Sequence, residues 1–285
     1  MNRRKFLTSS AAVSGACLLG TTSLAQSSAL SLPLGAADGW VSLLNGHDLT
    51  GWYSMLEKSG KGVAERRRMV TMEEGMLHIM GNEEGVEPAE AGYLATTREF
   101  QNVHIRVEYK WGVKRFAPRS LAKRDNGLLY GLVGADKVWP TCVECQIQEG
   151  DVGDYFMVGT LGIQDEHDAG LFGEALTQNG WSKPAFRRTP EPPAPVSGEF
   201  SVADIRKVKD GDFEILDGWN VVEVIWQGDR SAHVVNGRTV NSSSKLQQPD
   251  PTNAGAFVPL TRGKIAIEIE FSEIWFRRIE VRSLA

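Results

Sequence analysis

Cysteine is scarce in this 285-residue chain: three thiols cannot staple a fold of this length, so a disulfide scaffold is excluded. A long apolar run is also missing. The nearest approach, residues 11–19, is broken by Ser14 and Gly15 and falls well short of the roughly 20 residues a membrane-spanning helix needs. Neither sign of charge is in large excess, since 31 basic and 36 acidic residues leave a formal charge of −5, which disfavours nucleic acid as a partner. No Gly-x-Ser-x-Gly elbow, P-loop or His-Glu-x-x-His occurs, so acyl transfer, nucleotide hydrolysis and zinc proteolysis have no anchor. What is present is 41% apolar residues, 30 glycines and 8 tryptophans: enough for a sizeable core, many tight turns and indole surfaces suited to stacking on rings.

Arg3-Arg4-Lys5, Phe6-Leu7, the apolar stretch 11–19 and Ser23-Leu24-Ala25 form a cleavable export signal, with cutting expected after Ala25. Asn2-Arg3-Arg4-Lys5-Phe6-Leu7 resembles a twin-arginine signal, with ordinary secretion as the alternative, so the expected location is periplasmic or extracellular. Ser14 stands where a lipoprotein signal ahead of Cys17 wants Leu, which argues against lipid anchoring. Losing residues 1–25 removes Arg3, Arg4 and Lys5 and no acid, so the mature chain is more acidic still and suits neutral ligands such as sugars. Residues 26–38 read as a flexible lead-in and 39–285 as one domain.

Helical periodicity is scarce, whereas residues 103–110 alternate apolar and polar side chains as a half-buried antiparallel strand does. Residues 76–80, 127–133, 143–148, 155–163, 221–227, 264–270 and 274–281 read similarly. In 233–240, Asn236-Gly237 supplies the positive φ angles of a type I′ hairpin turn. Many strands without a βαβ rhythm predict an all-β, two-sheet sandwich. Two stretches interrupt it: basic 113–124, read as a solvated loop, and the long insertion 164–218, the kind of loop that often rims a site.

Two polar rows stand out. Along 142–149, Val143, Cys145 and Ile147 share one face while Glu144, Gln146 and Gln148 line the other, offering a carboxylate and two amides suited to sugar hydroxyls. Ile265, Ile267 and Ile269 likewise leave Lys264, Ala266, Glu268 and Glu270 on a polar side. Cys142 and Cys145 point to opposite faces of one strand, which makes a mutual disulfide geometrically poor and leaves buried thiols as the better reading. Among the histidines, His78 and His104 sit within strands as structural residues, His47 in a turn, and His167 in Asp165-Glu166-His167-Asp168, where consecutive spacing rarely converges on one ion. No metal or cofactor is called for. His233, just before the hairpin, is the remaining acid/base candidate, held evenly against a structural role.

Gly39-Trp40-Val41-Ser42-Leu43-Leu44-Asn45-Gly46-His47-Asp48-Leu49-Thr50-Gly51-Trp52, Asp125-Asn126-Gly127, Val138-Trp139-Pro140, 144–151, Trp219-Asn220, His233-x-Val235-Asn236-Gly237 and 274–280 occur in order along the chain. With these segments the sequence resembles the 3-keto-disaccharide hydrolase family (DUF1080; 3-keto-glucoside 1,2-lyase/3-keto-2-hydroxy-glucal hydratase). The resemblance implies a concanavalin A-like jelly-roll sandwich acting on glycosides already oxidised to a ketone at C3. It also implies Glu144 and His233 as base and acid in either order, Asn126, Gln146, Gln148 and Glu268 as substrate contacts, and Trp139 as a stacking wall. The partner expected is an oxidised (3-keto) sugar or glycoside. Two alternatives remain: a conventional glucanase, which needs two carboxylates flanking one bond, and a non-catalytic carbohydrate-binding module, which needs only platforms such as Trp139 or Trp219 and the amides.

Overall fold

The computed structural model describes residues 39–82, 86–164 and 206–284, all within the compact unit Leu32–Ala285. The expected export signal at 1–25, the lead-in at 26–38 and residues 165–205 of the insertion, His167 among them, lie outside the described residues. In chain order come β1 (Val41–Ser42), β2 (Trp52–Leu56), β3 (Gly60–Lys61), the helical turn α1 (Val63–Arg66), β4 (Val70–Glu73), β5 (Met76–Ile79) and β6 (Gly92–Thr96). Then follow β7 (Val103–Arg115), β8 (Gly127–Val133), β9 (Thr141–Gln146), β10 (Tyr155–Val158), β11 (Leu161–Gln164) and β12 (Arg206–Lys207). The last are β13 (Asn220–Gln227), β14 (Arg230–Val235), β15 (Arg238–Pro249), β16 (Phe257–Pro259), β17 (Lys264–Ile269) and β18 (Ser272–Ser283).

Two antiparallel sheets form the expected jelly-roll sandwich. The ten-stranded sheet runs β11-β15-β14-β13-β7-β18-β5-β4, with β1 on β18 and β16 on β15; the eight-stranded sheet runs β12-β10-β9-β8-β17-β6-β2-β3. Alternation in the sequence builds this directly. On β7, Val103, Ile105, Val107, Tyr109 and Trp111 enter the core, so His104, Arg106, Glu108 and Lys110 face the other way. From the eight-stranded sheet, Val143, Cys145, Ile265, Ile267 and Ile269 meet Val222, Val224, Trp226, Ile274 and Phe276 of the other. Each such fully buried side chain contributes about 1.5–3 kcal/mol of transfer free energy.

The outer face of the eight-stranded sheet carries its own small apolar cluster, Tyr93, Ala95, Leu129, Leu132, Cys142 and Ala266. Cys142 and Cys145 are therefore free thiols buried on opposite sides of β9. The β14–β15 hairpin turns at Asn236 and Gly237, both at positive φ (48° and 76°). One reading holds only in part: 113–124 is largely exposed, but not all of it is a solvated loop. Its first residues extend β7, Arg124 forks onto Glu149 with Nε and Nη2 at 2.9 and 2.5 Å, and Arg119 is held between two acids.

Candidate active site

Strand register brings the two polar rows together. On β8, Gly127 pairs with Gln146 and Leu129 with Glu144 of β9, while on the other edge Leu129 pairs with Ala266 and Leu128 with Ile267 of β17. One strand thus separates Glu144 from Glu268, and both project from the outer face. The separating strand presents a glycine between them. A Cβ built on Gly127 would lie 2.8 Å from Glu144 Oε1 and 2.7 Å from Glu268 Oε2, so the two carboxyl groups lean toward each other over the one position that has no side chain. Any larger residue would push them apart.

Both acids are nearly out of solvent, 6% and 3% exposed. Among the described residues no cation bonds to either, and Glu268 Oε2 is buried without a hydrogen-bond partner. The other members of the cluster continue from Glu268. Its side chain bonds to that of Glu270, Glu270 Oε1 accepts from Arg119 Nη1 at 2.5 Å, and the same Nη1 reaches Asp125 Oδ2 at 2.5 Å. Asp125 Oδ2 also accepts from Gln148 Nε2 at 2.5 Å. Among the described residues, four carboxyl groups are therefore served by a single guanidinium at one end of the row.

Electrostatics follows from that imbalance. Burial, followed by the charges of neighbouring acids, raises Glu144 well above the usual carboxylate range. Glu268 is raised in the same way, by burial first and then by Glu144, Glu270 and Asp125. Asp125 rises to about 7, burial and Glu270 outweighing Arg119 and Gln148. Acids this close cannot all ionise, so near neutral pH at least one proton is retained and shared.

The sequence matches the family described as the 3-keto-alpha-glucoside-1,2-lyase-like domain over residues 39–282. The chain belongs to that family. No curated protein matches it. Among solved structures, this lyase-like domain is similar to a candidate glycosyl hydrolase from Parabacteroides distasonis at 17% identity and TM-score 0.49, covering 87% of this chain and 95% of that one. A second candidate glycosyl hydrolase from the same organism is 16% identical with TM-score 0.46, covering 86% and 99%. The carbohydrate binding module CBM66 from Bacillus subtilis is 8% identical with TM-score 0.36, covering 69% and 88%. By its family, the lyase-like domain is a carbohydrate-related domain.

Of the residues singled out in its sequence, the structure gathers Glu144, Gln146, Gln148 and Glu268 on one face and sets His233 apart. His233 is fully buried between the sheets, stacked on Tyr155 with ring centroids 3.6 Å apart. Tyr130, which bonds to it, shares a face with Val143, opposite that of Glu144. Its Nδ1 lies 3.0 Å from Gly153 O, which can only accept, so Nδ1 carries the proton and Nε2 accepts from Tyr130 Oη at 3.1 Å. Burial lowers its pKa to about 3. This imidazole is neutral and occupied at both nitrogens, and an acid/base pair with Glu144 is ruled out by the sheet between them.

Asn126 also turns inward, where its Nδ2 donates to Glu268 O at 2.6 Å and ties it to the β17 backbone. Gln146 spends its Oε1 on the Ile147 amide at 2.9 Å. Trp139 is half-buried in the loop between β8 and β9, next to Val138, which packs on the outer face. Trp219 carries Arg277 over its ring at 4.4 Å. Asp125, Glu270 and Arg119 were not among the sequence candidates. Asp125 could have been found from its spacing, two residues before Gly127 and so on the same face, and Glu270 from its place in the β17 row.

Proposed function

We propose that this chain is an exported enzyme that cleaves 3-keto-glycosides by elimination across C1–C2, with hydration of the resulting 3-keto-2-hydroxy-glucal completing a net hydrolysis. The observation that carries this reading is the pair Glu144 and Glu268, buried, without a cation among the described residues and facing each other over Gly127. A ketone at C3 acidifies the proton on C2, so a weak base held out of water suffices to remove it. Raised carboxylates are such bases near neutral pH.

The network orders the roles. Glu270 accepts from Arg119, and Glu268, raised by burial and then by its acidic neighbours, is assigned the proton it shares with Glu270. Glu144 is then the base that takes the C2 proton. The C2–H electron pair forms the C1–C2 double bond as the C1–O bond breaks, and the departing oxygen takes its proton from Glu268. Hydration runs the same transfers in reverse with water as the nucleophile at C1. Gln146 and Gln148 supply amide groups for ring hydroxyls.

The test is to offer α- and β-linked 3-keto-glucosides beside their unoxidised parents and follow formation of the enone. Consumption of the oxidised sugars with an enone intermediate is expected. Cleavage of the unoxidised parents alone would overturn the elimination. Close carboxyls also fit a retaining double displacement, where the two groups stand about 5–5.5 Å apart, and that outcome would then be the correct reading.

A further inference from the structure

Among the described residues Arg119 is the cation of the acid row, and it holds that row by one nitrogen. Its Nη1 lies 2.5 Å from Glu270 Oε1 and 2.5 Å from Asp125 Oδ2. Both of its acceptors among the described residues sit on Nη1, so Nε and Nη2 keep N–H groups for a ligand. The side chain is 26% exposed against 4% for Asp125, which leaves it within reach of a molecule arriving from solvent. Its place is fixed from two sides. Arg119 stands in the loop between β7 and β8, and the far end of that loop is clamped by Arg124 on Glu149. Asp125 and Glu270 each lie two residues along the chain from Gly127 and Glu268, on the same face, so the guanidinium is about 7 Å along the strands from the carboxyl pair.

We propose that Arg119 is a catalytic residue, which donates through Nε or Nη2 to the C3 oxygen of the oxidised sugar and stabilises the enolate formed when Glu144 removes the C2 proton. This role rests on the reading of Glu144 and Glu268 as the reacting pair. Glu144 collects one proton and Glu268 gives its own to the leaving oxygen, so neither carboxyl serves the oxygen at C3. That oxygen is where charge develops. The C2–H electron pair forms a C2–C3 double bond while the carbonyl pair moves onto oxygen; as the carbonyl re-forms, the pair shifts into C1–C2 and the C1–O bond breaks. A fixed donor at the atom that gains charge is preorganised stabilisation, worth about 10²–10³ in rate. The distance fits, because C2, C3 and the ketone oxygen, with a contact of roughly 3 Å at each end, bridge the gap from Glu144 to Arg119. Two acids on Nη1 hold the planar guanidinium still and leave its other edge to the substrate.

The test separates enolate formation from cleavage. The 1-deoxy form of 3-keto-glucose has the ketone and the C2 proton but no leaving group, so exchange of that proton in deuterium oxide, followed by NMR, reads the first step alone. The full chain is compared with Arg119→Met and Arg119→Lys, and unchanged thermal midpoints establish that the variants fold. Wild type is expected to exchange the C2 proton, Arg119→Met to do so about 10²–10³-fold more slowly across the whole pH range in which wild type exchanges, and Arg119→Lys to fall between them. Added ethylguanidinium is expected to restore part of the rate to Arg119→Met and none to Arg119→Lys. Exchange by Arg119→Met at the wild-type rate would overturn the role of Arg119 and leave the lyase reading standing. So would a loss that a change of pH fully recovers, since Arg119 would then act only by setting the charge of Asp125 and Glu270. Wild type that exchanges nothing while cleaving unoxidised glucosides would overturn the lyase reading and this role with it.

Discussion

On the outer face of the ten-stranded sheet Glu223 lies 3.2 Å from His104, Glu273 lies 2.9 Å from His78 and also accepts the amides of Val113 and Lys114, and Glu108 meets Arg277 at 2.5 Å. On the outer face of the eight-stranded sheet Glu144 and Glu268, as deeply buried, meet among the described residues only other acids and, through Glu270, one distant guanidinium. Burying a carboxylate is costly, and a paired and hydrogen-bonded one offsets that cost where it stands. On the proposed reading, unpaired burial in one patch serves groups held ready to give and take protons. The first face then holds the sandwich, and the second reacts.

Exchanging acids on the two faces is the sharpest way to break that contrast. Glu144→Gln keeps size and shape but removes the base. Turnover of a 3-keto-glucoside is expected to fall about 10²–10⁴-fold, with thermal stability unchanged or raised because an unfavourably buried acid is gone. Glu273→Ala leaves His78 Nε2 and two backbone amides without their partner and is expected to cost about 3 kcal/mol in denaturant unfolding while turnover per folded molecule is preserved. If the two variants behaved alike, the division of labour between the faces would be wrong. Gly127→Ala sharpens the same point from the backbone. Its methyl would strike both carboxyl groups, so a loss of about 1–3 kcal/mol with a turnover defect larger than that instability explains is expected, read by unfolding and kinetics on the same sample.

How far this was legible in the sequence depends on whether the information is local. Period two along a strand is local, so the facing of Glu144, Gln146, Gln148 and Glu268 follows from the Val143–Cys145–Ile147 and Ile265–Ile267–Ile269 rows. That β8 runs between those strands is a matter of topology, which no pattern within either segment encodes, and with it goes the meeting of Glu144 and Glu268 over Gly127. His233 is instructive in the other direction. Its hairpin is local and correctly marked by Asn236-Gly237, but a polar residue two before Val235 shares the inward face of Val235, and that alternation outweighs the polarity of an imidazole whose partners Tyr130 and Gly153 come from elsewhere. Arg119 is hidden for a third reason: in a charge-rich loop, only the fold reveals which cation is turned in toward Asp125 and Glu270.

The smallest effect tests the electrostatic half of the contrast. Asp125 has an unfolded-state pKa of 3.8 and, chiefly through burial, a folded-state pKa of about 7. A folded pKa above the unfolded one means the folded state binds the proton more tightly, so its contribution is fully present below about 3.8 and is lost as pH rises through about 7. Asp125→Asn cannot ionise and cannot suffer that loss. Its stability relative to wild type should therefore move in the variant's favour between pH 4 and pH 8, by about 1–2 kcal/mol once the coupled acids have taken part of the proton. Denaturant unfolding of the variant and wild type at the two pH values decides it. A flat difference for Asp125→Asn would mean that Arg119 fully compensates its buried charge, and the acid row would then be no more poised for proton transfer than its counterpart across the sandwich.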